Sequence, residues 1–236
     1  MDGMSDAGLM VTGQAISLRS LVTDRLRIAI VTGRFPPGKA LRERELCELT
    51  GVSRLSIREA LRQLEAEGLI TKEPRRGPTV TALTVEEVGY LYELRLELES
   101  LAARQFAIRR LPADLASLRA AVVRLNEVEK DGTPLDMLEA GTQLYKVIAN
   151  GSGNPYLAQE LENLHNRIKL IRYISLHKRS RVIESFDALR ALASAIEHGD
   201  EGRADQLCRE HLESVAQGAQ TVVENDYRVP ETIEER

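Results

Sequence analysis

Residues 41–69 read LRERELCELTGVSRLSIREALRQLEAEGL. The apolar spacing over 43–50 predicts a short helix that buries Leu46 and Leu49. Thr50-Gly51-Val52 is a tight corner, because Gly51 can take the left-handed backbone such a turn needs. Ser53 is a good N-cap for a longer helix to about residue 67, with the apolar stripe Ile57, Ala60, Leu61 and Leu64. Two helices joined by so short a turn are a helix-turn-helix.

The flanks complete the unit. Over 17–32, Leu18, Val22, Leu26, Ala29 and Ile30 recur at helical spacing, and Gly33 follows as a stop. The prolines of Arg34-Phe-Pro-Pro-Gly38 cannot continue a helix. After Gly68, residues 69–73 and 79–82 read as two short strands around Pro74-Arg-Arg-Gly77-Pro78. Helix, helix, turn, helix and hairpin is the order of a winged helix-turn-helix, assigned to 17–82. Residues 1–16 read as a mobile arm.

From residue 83 to 225 the pattern is helical throughout. Thr84-Val-Glu-Glu87 fits a capping box, and six helices follow with breaks near Pro112, Gly132-Thr-Pro134, 150–155, 177–181 and Gly199-Asp200. Six helices on short connections form an antiparallel bundle. Residues 226–236 are a polar tail. The fold class is therefore mainly α, a winged helix-turn-helix followed by an all-α bundle.

Composition narrows the function. The chain of 236 residues is 43% hydrophobic and 29% charged, which excludes disorder. Its two cysteines, Cys47 and Cys208, have no metal or CxxC spacing and read as free thiols in a reducing cytoplasm. No apolar run is long enough for a membrane span, and the N-terminus lacks signal-peptide character. The net charge of −4 conceals an asymmetry. Residues 17–82 carry 13 Lys+Arg against 8 Asp+Glu, a balance of +5, while residues 83–236 carry 19 against 26, a balance of −7. A basic head on an acidic body suggests different partners for each.

Arg54 and Arg58, four apart, share the helix face opposite the apolar stripe. Ser53 and Ser56 lie in the first turn, beside free backbone N–H groups suited to phosphate oxygens. Arg44 faces the same side, and Arg75-Arg76-Gly77 form the hairpin tip. The type and order of these residues suit a DNA duplex, with guanine edges as targets of the arginines.

The blocks Gly33-Arg-Phe-Pro-Pro-Gly38, Leu41-Arg-Glu-Arg-Glu-Leu46, Gly51-Val-Ser-Arg54, Arg58-Glu-Ala-Leu61 and Leu64-Glu-Ala-Glu-Gly-Leu69 resemble the DNA-binding domain of GntR-family bacterial repressors. The resemblance implies operator contacts by Arg44, Arg54, Ser56, Arg58 and the wing at Gly77. Many members carry Thr-Pro where this chain has Leu55-Ser56, and Leu55 could instead meet a thymine methyl. The helical half is similar to the effector-binding and dimerisation domain of the FadR subfamily, its six helices resembling the vanillate-regulator branch.

Many members of that subfamily hold a divalent metal through an Asp and three His. The corresponding positions here are Gly141, Tyr145, Leu189 and His211, so only one ligand is retained and no metal is expected. Arg95 and His211 lie on apolar stripes and point inward. A buried Arg95 must pair with a carboxylate or await an anionic ligand. Tyr145 lies one turn from the space at Gly141. Arg172 is a weaker candidate, more typical of a solvated surface. Arg95, Tyr145, Arg172 and His211 thus form the candidate effector set, for an organic or aromatic acid or a phosphorylated metabolite. His165, His177 and His198 show no ligand spacing with His211.

The leading expectation is a homodimeric regulator, a repressor in most members of the resembled family, on a pseudo-palindromic operator and modulated by that ligand. A constitutive or protein-regulated DNA-binding protein with a closed pocket is the alternative. A helical enzyme is disfavoured, since GxSxG, HExxH and cysteine-nucleophile constellations are all missing.

Overall fold

The computed structural model describes residues 14–73, 76–175 and 179–226. The arm to residue 13, Arg75, His177 and the tail beyond Asp226 lie outside the described residues. The head comprises α1 (Gln14–Val31), α2 (Glu43–Thr50), α3 (Arg54–Ala66), β1 (Ile70–Glu73) and β2 (Gly77–Val80). The body comprises α4 (Val85–Arg109), α5 (Pro112–Asp131), α6 (Pro134–Gly151), α7 (Pro155–Ser175), α8 (Arg179–His198) and α9 (Glu201–Asp226).

Local chemistry explains where the reading helix begins. Gly51 caps α2 with φ 70°, the left-handed turn that a side chain would strain. Two residues on, the Ser53 hydroxyl accepts the Ser56 N–H at 3.2 Å and starts α3. Ile57, Ala60, Leu61 and Leu64 all face the core. Leu46 is buried as expected, but Leu49 is 53% exposed. With Leu46 fixed inward, Glu43 and Cys47 share its side of this two-turn helix, and Leu49 rolls out to solvent.

The wing differs from the strand boundaries expected from sequence. β1 and β2 pair antiparallel from Ile70 opposite Val80 to Glu73 opposite Gly77. The second strand therefore begins at Gly77 and includes Pro78, two residues earlier than the sequence pattern places it. The proline is tolerated because the backbone of residue 78 faces away from β1: its carbonyl accepts the Leu41 N–H at 2.8 Å, so its missing N–H removes no hydrogen bond between the two strands.

In the body, Thr84 and Glu87 close a reciprocal capping box at α4, and Thr133 with Asp136 does the same at α6. α4 packs most extensively on α9, with α6, α7 and α8 around them. One apolar core fills the bundle around Phe106, Leu144 and Ile196. A second core joins Leu26, Ile57 and Leu64 of the head to Tyr92, Ile168, Ile171 and Val222 of the body. The close approach of α7 is explicit at Gly68, where an added Cβ would lie 3.2 Å from Arg167 Cγ.

Candidate functional site

Two surfaces collect the residues singled out by sequence. On the head, Ser53, Arg54, Leu55 and Arg58 are exposed on the first turns of α3, with Ser56 half-buried among them. The Ser53 and Ser56 hydroxyls lie 3.0 Å apart. Arg58 reaches back across the turn to Glu43, with Nε and Nη2 at 3.2 and 3.3 Å from its carboxylate oxygens. That guanidinium holds the Glu43 carboxyl below its ordinary pKa. Arg44 on α2 pairs with Glu48 at 2.9 Å, and its side chain is 83% exposed. Arg76 is exposed at the hairpin tip beside Gly77. Ser53, Arg54, Leu55, Arg58 and Arg44 thus present an exposed face on α2 and α3.

The second surface is internal. A cavity of about 570 Å³ opens among α4, α6, α7, α8 and α9. Arg95, Tyr145, Arg172 and His211, separated in sequence by up to 116 positions, all line it. Arg95 is 1% exposed and answers the alternative left open by sequence. Its Nε donates to Glu99 Oε1 at 2.7 Å, one turn along α4, while Nη2 has no hydrogen-bond partner among the described residues. His165 Nε2 donates to the same Glu99 oxygen at 2.8 Å. Sequence reasoning passed over both Glu99 and His165. Glu99 was signalled by its i,i+4 spacing from Arg95; His165, sixty-six residues away, carried no local signal.

Arg172 is a cavity residue, half-buried rather than solvated. Its Nη1 donates to the Thr142 hydroxyl at 3.1 Å, and its Cζ lies 5.3 Å from the centroid of the Tyr145 ring. The ring's second cationic neighbour is Arg95, at 5.4 Å, which also lies 4.7 Å over Tyr92. Gly141 lies close by: a Cβ there would come within 3.3 Å of Arg172 Nη2, a tight contact that a small shift of the guanidinium would relieve.

Burial sets the protonation states. His211 is pushed down to about 4, so its imidazole is neutral and can accept the Tyr145 hydroxyl proton at Nε2, 2.6 Å away. Burial drives the Tyr145 pKa upward, keeping the phenol intact. Glu99 is also desolvated, but Arg95 and His165 outweigh that and hold it at about 2. Burial lowers the His165 and Arg172 pKa values. Among the described residues, no carboxylate lies within salt-bridge distance of Arg172.

The donor set does not fit a metal ion. At the four positions implied by the family resemblance stand Gly141, Tyr145, Leu189 and His211. Leu189 is buried in the apolar core, and the one imidazole is engaged by a phenol beside a guanidinium. Among the described residues, no group of three or more His, Cys, Asp or Glu side chains is arranged to hold a metal. No described helix is long and apolar enough to cross a membrane.

Comparison with known proteins agrees with both halves. Residues 18–80 match the gntR family of bacterial regulatory proteins, and residues 90–214 match the FCD domain. The chain is 30% identical over 167 residues to YdhC of Bacillus subtilis (strain 168), an uncharacterized HTH-type transcriptional regulator, covering 68% of this chain and 73% of that protein. It is 28% identical over 196 residues to the HTH-type transcriptional repressor GlaR of Escherichia coli (strain K12), covering 79% of this chain and 89% of that one. The solved structure of E. coli McbR/YncC shares the fold, with a TM-score of 0.71 at 22% identity over 90% of this chain and 99% of that one. The chain therefore belongs to the GntR family of bacterial regulatory proteins, in the FadR-type group that carries an FCD domain, and is a DNA-binding transcriptional regulator rather than an enzyme.

Proposed function

We propose that this regulator is a repressor that binds a pseudo-palindromic operator as a homodimer and is controlled by a small anionic molecule in the helical body. Residues 17–82 act as the reading head and residues 83–225 as the sensing and dimerising body. Arg54 and Arg58 read base edges from α3, with Leu55 against a thymine methyl. Ser53, Ser56, Arg44 and the wing at Arg75, Arg76 and Gly77 hold the phosphate backbone. Two heads on a two-fold axis require half-sites of matching symmetry. Leu94 and Ile108 are exposed on α4 and fall, with Leu101, every seven residues, an apolar stripe suited to a second copy of the chain.

The observation that carries ligand control is the double duty of α7. Its Arg172 lines the cavity, while its Ile168 and Ile171 are fully buried in the core shared with the head. A ligand that binds Arg172 more tightly in one setting of α7 than another shifts the heads by that difference in affinity. The cavity volume favours this over the closed-pocket alternative. The test is a screen of small organic acids for their effect on the chain's affinity for a duplex selected from a random pool. An effector shifts the affinity about 5- to 150-fold. DNA binding that no acid alters leaves the constitutive reading.

A further inference from the structure

Arg42 occupies a position that helix stability alone would fill differently. It is the N-cap of α2, with an extended backbone at φ −77° and ψ 123°, and its side chain caps nothing. Ser, Thr, Asp and Asn serve best there, because a short side-chain oxygen accepts a free N–H of the first turn. A guanidinium has only donors to offer, and its charge lies at the positive end of the helix dipole. At its start α2 therefore carries a cation in place of a cap.

Backbone pairing fixes where that cation stands. Residues 39–41 run beside β2: the Val80 N–H donates to the Lys39 carbonyl at 2.9 Å, Ala40 lies opposite Thr79, and the Leu41 N–H donates to the Pro78 carbonyl at 2.8 Å. Carried one residue further, this antiparallel register sets Arg42 at the level of Gly77 in the wing. Leu41 is buried, and Arg42, next along the extended chain, is exposed. On its other side Glu43 follows directly and holds Arg58 of α3. Arg42 thus stands between the reading helix and the wing.

The charges nearby leave it free for an anion. Arg58 engages Glu43, Arg44 engages Glu48, and Glu45 is half-buried. Among the described residues, no ion pair or side-chain hydrogen bond engages the Arg42 guanidinium. With α3 in a groove and the wing beside it, the element of a duplex that passes between them is the sugar-phosphate backbone. We propose that Arg42 grips the DNA phosphate between the footprints of α3 and the wing, a sequence-independent anchor that sets the register of the reading helix. This rests on reading α3 and the wing as the duplex-contacting elements.

The test is fluorescence anisotropy with the full chain across salt, on a duplex selected from a random pool and on a scrambled one. R42S should weaken both by the same factor, roughly three- to tenfold near about 0.15 M salt, and should reduce the slope of log affinity against log salt by about 0.9 for each head bound. R42K, which keeps the charge, should keep the slope. R42S should also melt no lower than the wild type, because serine supplies the missing cap. Replacing phosphates one at a time by uncharged methylphosphonate should reveal a position where the wild type loses affinity and R42S does not. Unchanged affinity and slope in R42S, while R44A and R58A bind weakly, overturns the proposal and leaves the reading of α3 and the wing intact. Loss of selectivity at one base pair makes Arg42 a base reader, and weaker binding with a lower melting temperature makes it structural; either overturns the proposal. Indifference to all three substitutions overturns the proposal and that reading together.

Discussion

Arg58 is held by Glu43 before any duplex arrives, through two contacts of 3.2 and 3.3 Å on an exposed face. Exposed pairs of this kind are weak, so DNA can take the guanidinium at little expense. Replacing Arg58 by Ala should weaken operator binding by about 1–3 kcal/mol and relax selectivity at one base position, measured by fluorescence anisotropy. Arg44→Ala should instead weaken all sequences alike. His211 gives a second residue-level expectation. Its pKa in the fold, about 4, lies below the ordinary value of 6.5, so the unfolded chain takes up the proton first as the pH falls. Its contribution is complete above pH 6.5 and is lost towards pH 4, on the order of 3 kcal/mol at most. His165 acts in the same sense. Urea midpoints between pH 7 and 4 should therefore show an acid limb that H211Q makes shallower without abolishing. Glu99 adds its loss at lower pH, from about 4.5 down through 2.

At the scale of elements, boundaries were readable wherever a local signal set them. Gly51, Ser53 and the Thr84–Glu87 box carry their instructions within a few residues, and the helix end at Gly51 and the helix starts after Ser53 and Thr84 lie where sequence places them. The wing and Leu49 did not obey local pattern. Strand register depends on a hairpin closure and on an edge supplied from residues 38–41, and the exposure of Leu49 depends on how α2 rolls against α3. The cavity shows the same division. Inward pointing of Arg95 and His211 followed from helical stripes, but the meeting of Tyr145 with His211 and of Arg172 with Tyr145 required the packing of three helices. On the proposed reading, α7 is the element that links cavity and head. Ile168→Ala should destabilise the chain by about 2–5 kcal/mol in urea unfolding, with the loss spread over head and body because both share that core.

For the whole molecule, a net charge of −4 divides into a head of +5 and a more acidic remainder, and the average hides the DNA-facing part. On the proposed reading, a second copy of the chain packs on the body through the apolar stripe of α4. Leu94→Glu combined with Ile108→Glu should convert a dimer to monomers in light scattering and weaken binding to a two-half-site operator far more than to one half-site. The central claim, an arginine-led head reading a two-fold operator, is tested most directly by selecting duplexes from a random pool and measuring affinity for the winner across salt. The account predicts an inverted repeat whose log affinity falls steeply and linearly with log salt, with a smaller slope for the Arg44→Ala variant. A selected sequence without two-fold symmetry, or an affinity indifferent to salt and to both arginine substitutions, would contradict it.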